Sequence, residues 1–134
     1  MRHWIFVIRD DYSVFNKRIE HKKWPIFHST KLRTFLEIGD DIIFYQAGLE
    51  GQIFLGTAVL KTIGEKISDE MTYFVDLEGI DIWKKQPSIR NLIKKLNFIK
   101  NKEHWGLNLQ GGILKIDDKD YALILKESKK LKQK

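Results

Sequence analysis

The sequence predicts an α+β domain, with a mostly antiparallel sheet or small barrel flanked by helices. Strand-like runs rich in aromatic and β-branched residues cluster in the middle of the chain, and segments with helical spacing are interspersed among them. The first run, Trp4 to Ile8, is apolar throughout, as expected of a strand buried on both faces at the centre of a barrel or mixed sheet. No internal repeat or linker interrupts the 134 residues, so residues 1–134 read as one domain.

The elements follow in order. Arg2 to Arg9 is the first strand, ended by Asp10-Asp11-Tyr12-Ser13. Ser13 is placed to cap a short helix from about Val14 to His21. Pro25 pushes Trp24 into an extended conformation. Ser29 to Leu36 reads as irregular or briefly helical, and Ile38-Gly39-Asp40-Asp41 as a turn. Strands follow at Asp41 to Gln46 and Gln52 to Thr62, joined by a loop carrying Gly48 and Gly51. Gly56 inside the second of these marks a bulge or a close backbone approach. Met71 to Trp83 is a further strand or bent pair, with Tyr73, Val75 and Leu77 on one face. Pro87-Ser88 opens a helix carrying Ile89, Leu92, Ile93 and Leu96 at helical spacing. Asn101 to Leu109 is ambiguous between loop and short helix. Ile113 to Ile116 is a strand, and Asp117-Asp118 enters a last helix with Tyr121, Ile124, Leu125 and Leu131 on its apolar face. The lysine-rich end, residues 126–134, is expected to fray.

Composition narrows the function classes. There are no cysteines, which excludes disulfides, thiol catalysis and Cys-ligated zinc and fits a reducing, cytoplasmic setting. No stretch approaches the roughly 20 apolar residues that span a bilayer, so a soluble protein without a membrane partner is expected. The net charge is +6, and it is unevenly spread. Lys84, Lys85, Arg90, Lys94, Lys95, Lys100 and Lys102 form a run without an acid, a surface that would attract a polyanion by counterion release.

Catalytic and metal motifs are missing. His3, His21, His28 and His104 are scattered without ligand spacing, and no nucleophile elbow, Walker motif or dinucleotide fingerprint occurs. No cofactor, metal or catalytic residue is therefore assigned. The carboxylate pairs are Asp40-Asp41, in a turn where such residues are common anyway, and Asp10-Asp11, at a strand end where a binding mouth could open. Among the four tryptophans, Trp24 follows Lys22-Lys23, and Trp105 lies in Lys102-Glu103-His104-Trp105-Gly106. An aromatic ring among cations suits base stacking beside phosphate, while a buried core role is the alternative for each.

Trp4-Ile5-Phe6-Val7-Ile8, then Trp24, then Gly39-Asp40-Asp41-Ile42-Ile43-Phe44-Tyr45, resembles the N-terminal half of EVE domains. Gly56-Thr57-Ala58 is similar to the next strand of that family, and Leu96-Asn97-Phe98-Ile99-Lys100-Asn101-Lys102 with Trp105 to its later segment, continued by Gly111 or Gly112 and Asp120-Tyr121. The resemblance implies the PUA-like superfamily, with YTH and ASCH domains, and a small mixed or antiparallel barrel flanked by helices. It also implies a single-domain, non-catalytic nucleic-acid-binding module that reads a modified base of RNA or DNA in an aromatic pocket; a monomer is expected, though the residues do not fix the oligomeric state.

By that match Trp24 is a cage wall with Pro25 and Ile26 beside it, and Arg9, Asp10, Asp11 and Tyr12 contact the base edge. Phe44, Tyr45 and Gln46 frame the pocket, and Tyr73, Trp83 or Trp105 completes the cage. Lys22, Lys23 and the run from Lys84 to Lys102 would hold the nucleic-acid backbone. The alternatives are a small enzyme on nucleic acid or nucleotides with Asp10 or Asp11 as general base, and an adaptor that binds RNA without regard to base.

Overall fold

The computed structural model describes residues 2–9, 12–27, 36–48, 51–67, 72–100, 103 and 112–132. The sequence expectations for Asp10, Asp11, residues 28–35, Asn101 to Leu109, Lys102, Trp105 and Gly111 lie outside them.

The described elements are β1 (His3–Ile8), α1 (Tyr12–His21), β2 (Lys23–Phe27), β3 (Asp41–Gln46), β4 (Ile53–Ile67), β5 (Thr72–Ile82), a 3-10 turn (Ile89–Asn91), β6 (Ile113–Ile116) and α2 (Asp118–Lys132). The strands form one six-stranded sheet in the order β2-β5-β4-β3-β1-β6. β1 runs parallel to β3, and the other pairings among the described residues are antiparallel. This is the expected α+β fold with a mostly antiparallel sheet.

β1 has cores on both of its faces, which explains its continuous apolar run. Trp4, Phe6 and Ile8 face a first core with Phe15, Trp24, Phe44 and Leu60. Ile5 and Val7 face a second with Tyr45, Phe54, Trp83, Leu96 and Ile124. The sheet is curled rather than flat. Three strand steps separate β2 from β3, roughly 14 Å in a flat sheet, yet the rings of Trp24 and Phe44 lie 5.1 Å apart. Curling around the first core brings β2 back over β1 and β3 and makes a half-barrel, which α1 closes with Phe15.

The expectation for Gly56 is met. Pairing of β3 with β4 shifts register between Phe44 and Tyr45, opposite Gly56. A Cβ on Gly56 would overlap the Asp81 carbonyl oxygen and come within 2.8 Å of Ile82 Cα. Gly56→Ala is therefore expected to cost about 1–3 kcal/mol or more, because two backbones must part. Thermal unfolding checks this, and an unchanged Tm would contradict the close approach.

Three local expectations are corrected. α1 begins at Tyr12, so Ser13 lies inside the helix rather than at its cap, and the Tyr12 ring packs on Phe15 one turn on, at 5.7 Å. β4 runs past Thr62 to Ile67, because its ladder with β5 continues to Ile67 opposite Thr72.

The helix expected after Pro87 is instead a 3-10 turn and further single turns. Ser88 Oγ accepts from Arg90 N (3.2 Å), and Leu92 N donates to Ile89 O (2.9 Å). Ile89 N and Phe54 N tie the segment to β4 through Gln52 O and Pro87 O. The apolar spacing still does its work, since Ile89, Leu92, Leu96 and Ile99 are all buried in the second core.

α2 is fixed at its start. Asp117 Oδ1 caps it by accepting from Asp120 N (2.8 Å). That bond, with the one from Asn97, holds the Asp117 carboxyl below its ordinary range. Asp120, only 1% exposed, accepts from Asn97 N (2.8 Å) and Phe98 N (2.9 Å). Tyr121 stacks on His3 at 4.2 Å, and burial, helped by Asp41, pushes its phenol up to about 12.

Candidate nucleic-acid interface

α1 ends at His21, and Lys22 adopts a left-handed conformation (φ 56°) that turns the chain back under the helix. Lys22 N donates to Ile19 O (3.1 Å), and Lys22 O accepts from Leu77 N (2.8 Å), which sets β2 against β5. This turn brings Arg18 over Trp24. The guanidinium carbon lies 4.7 Å from the ring centroid, a cation–π contact. The indole is otherwise walled by Phe44, Phe6 (5.8 Å) and the edge of Phe15 (6.1 Å), and Trp24 is only 2% exposed.

A cleft of about 260 Å³ opens beside Arg18, lined by Val14, Lys17, Arg18 and His21 of α1, Lys23 of β2 and Phe74 of β5. Phe74 is 36% exposed, a large apolar ring left in solvent. Lys23 pairs with Asp76 at 3.3 Å, and the Thr62 hydroxyl, then Lys23, hold that carboxyl below its ordinary range. The cleft thus joins apolar walls to a cationic rim, a combination suited to a flat ring carrying a phosphate.

The structure separates other residues that the sequence grouped. Trp24, Ile26 and Phe44 belong to the first core, and Pro25 is opposite Phe74 in the β2–β5 register. Tyr45 follows Phe44 on a strand and so points to the opposite face, against Phe54 at 5.2 Å. Phe44 and Tyr45 therefore cannot frame one pocket. Burial pushes the Tyr45 phenol well above its ordinary value, against the pull of Arg90 and Arg9.

Arg9 and Gln46 lie at the same end of the sheet, because parallel β1 and β3 finish side by side there, and Tyr12 begins the helix that follows β1. Gln46 Nε2 donates to Ile8 O and Ala47 O, both at 3.3 Å. Gln86 Nε2 donates to the Tyr12 hydroxyl (3.4 Å), and Arg90 Nε to Gln52 Oε1 (2.8 Å). Of the candidate cage partners, Trp83 is 3% exposed in the second core.

The Asp40-Asp41 pair is structural at its first member. Asp40 is 2% exposed and accepts from Trp4 Nε1 (2.8 Å), Glu37 N (2.9 Å) and Arg2 N (3.3 Å). Asp41 Oδ2 lies 3.2 Å from His3 Nδ1. Among the described residues, no group of three or more His, Cys, Asp or Glu is placed to hold a metal ion.

Lys22 is exposed next to the cleft, and Lys84, Lys85, Arg90, Lys94, Lys95 and Lys100 are all exposed on the layer over the second core. The cleft belongs to the β2–β5 end of the sheet order, whereas this layer covers β1, β3 and β6.

Sequence reasoning missed Val14, Lys17, Arg18, His21 and Phe74. A signal was present in the helical spacing of Val14, Lys17, Arg18 and His21 just before Lys22-Lys23-Trp24.

The curled sheet with its flanking helices places the chain in the PUA-like fold class. It is similar to human THYN1, solved in complex with DNA containing 5-methylcytosine, with a TM-score of 0.68 and 10% identity over 96% of this chain and 98% of that one. It is also similar to the YTH domain of Zygosaccharomyces rouxii MRB1, solved in complex with N6-methyladenosine RNA (TM-score 0.63, 13% identity, 95% of this chain and 86% of that one). No family model matches the sequence. A UPF0310 protein of Mycolicibacterium gilvum (strain PYR-GCK) is 30% identical over 95 residues, 64% of this chain and 67% of that protein. The chain belongs to the UPF0310 family.

Proposed function

We propose that this chain is an EVE-type nucleic-acid-binding module, not an enzyme, and that it receives a modified base in the cleft between α1, β2 and β5. The observation that carries this reading is Arg18 stacked on Trp24 beside a cleft with a cationic rim. Arg18 occupies the ring face on which a base would stack, so an entering base displaces it, and its guanidinium then joins Lys17 at the phosphate. Phe74 supplies an apolar wall of that cleft. Two proteins of the same fold are solved with nucleic acid bearing a methylated base, which supports the ligand class.

A methyl group on a base adds little apolar area, so preference for the modified form is expected at about 10–200-fold. Anisotropy titrations with oligonucleotides carrying 5-methylcytosine, N6-methyladenine or neither, at one fixed salt, test this. Phe74→Ala is expected to erase the preference without changing the circular dichroism spectrum. Equal affinity for all oligonucleotides, or a preference untouched by Phe74→Ala, would sink the assignment.

A further inference from the structure

We infer that the layer over the second core is a separate nucleic-acid surface, so that one molecule holds a second phosphodiester backbone away from the base cleft. Residues 84–100 and 113–130 carry eleven Lys and Arg against four Asp and Glu, an imbalance larger than the +6 of the entire chain. The cations are turned outward: Lys84, Lys94, Lys95, Lys100, Lys115, Lys126, Lys129 and Lys130 are all exposed.

Three of these four carboxylates, Asp117, Asp118 and Asp120, already have partners. Asp120 takes the Asn97 and Phe98 amides, Asp117 takes Asp120 N and Asn97 Nδ2, and Asp118 Oδ1 lies 2.7 Å from His3 Nε2. Lys100 and Lys115 line a common cleft of about 330 Å³ beside these satisfied acids. Such a surface attracts a regularly spaced polyanion with no demand on sequence.

An anionic membrane fits less well. Surface helices that enter a bilayer keep an apolar face for it, whereas Ile124 is buried in the second core and Tyr121, Leu123 and Leu125 pack against it. The base cleft lies at the other end of the sheet order, against β2, β5 and α1. A backbone held on the outer layer is therefore not the stretch that presents its base to the cleft, and the two sites together bridge two segments. The bridging rests on the function proposed above, whereas the affinity of the outer layer does not.

Two measurements on the full chain separate these ideas, using a variant with Lys84, Lys94, Lys95 and Lys100 changed to Gln. The first is the dependence of affinity for an unmodified duplex on salt. The log–log slope is expected to be shallower in the variant by about two or more, since each lost phosphate contact removes roughly 0.9. The second is co-capture of a fluorescent unmodified duplex on beads bearing a 5-methylcytosine or N6-methyladenine oligonucleotide. Wild type is expected to capture it, and the lysine variant to lose capture while still binding the beads.

Phe74→Ala should leave the salt slope unchanged, so failure of the cleft and failure of the layer look different. An unchanged slope in the lysine variant, or wild type that binds phosphatidylserine vesicles more tightly than duplex, would overturn the inference.

Discussion

Trp24→Ala is expected to destabilise the protein by about 3–5 kcal/mol, the usual cost of truncating a large buried aromatic. The indole is the wedge where β2 folds back onto the rest of the sheet, in contact with Phe6, Phe15 and Phe44. Its removal empties the centre of the half-barrel and leaves Arg18 without the ring beneath it. Folded domains have only about 5–15 kcal/mol in hand, so much of the native state is at stake. Urea denaturation of Trp24→Ala and Trp24→Phe measures the effect, and Trp24→Phe should lose less because it keeps a ring in the wedge. A loss below about 1 kcal/mol for Trp24→Ala would show that the residue is not the core element described. The same contacts make Trp24 a poor probe of binding, whereas Phe74, at the cleft wall, separates binding from folding.

The second large effect is expected at Asp40. Its carboxylate joins the start of β1 to the turn before β3 by accepting from the Trp4 indole and the Glu37 and Arg2 amides. Trp4 is 0% exposed, so in Asp40→Ala its N–H is stranded inside the core. Each buried donor left unsatisfied costs about 1–3 kcal/mol, which makes a loss of about 3 kcal/mol the expected result. Asp40→Asn keeps a carbonyl acceptor and should recover part of it. Hydrogen exchange of the Trp4 indole proton gives an independent readout, expected to accelerate in Asp40→Ala. Unchanged exchange together with unchanged stability would mean the bond is dispensable.

The strands were readable because their side chains obey simple burial rules. Trp4 to Ile8 is apolar at every position since both faces are covered, and Gly56 announced a close approach that only a bare Cα allows. The segment after Pro87 misled because spacing of three to four fits successive tight turns as well as an α-helix, and tethers to β4 decide between them. The candidate site was only half legible. Trp24 among lysines pointed to the neighbourhood of the proposed cleft, but its burial depends on sheet curl, which brings Phe44 and Phe6 to it from strands distant in the sheet order. Phe74 and Arg18 meet through the fold-back at Lys22, whose left-handed turn leaves no mark in composition.

The pairing of β1 with β6 has a consequence for biosynthesis. His3 pairs with Ile116 and Phe6 with Ile113, while the other edge of β1 is taken by β3. β1 is thus flanked on one side by a strand that leaves the ribosome only after β2 to β5. Until residues 113–116 emerge, a five-residue apolar run waits with one edge open, the kind of edge that recruits stray strands. Native closure of the sheet therefore waits for β6, however early the β3–β4–β5 meander forms.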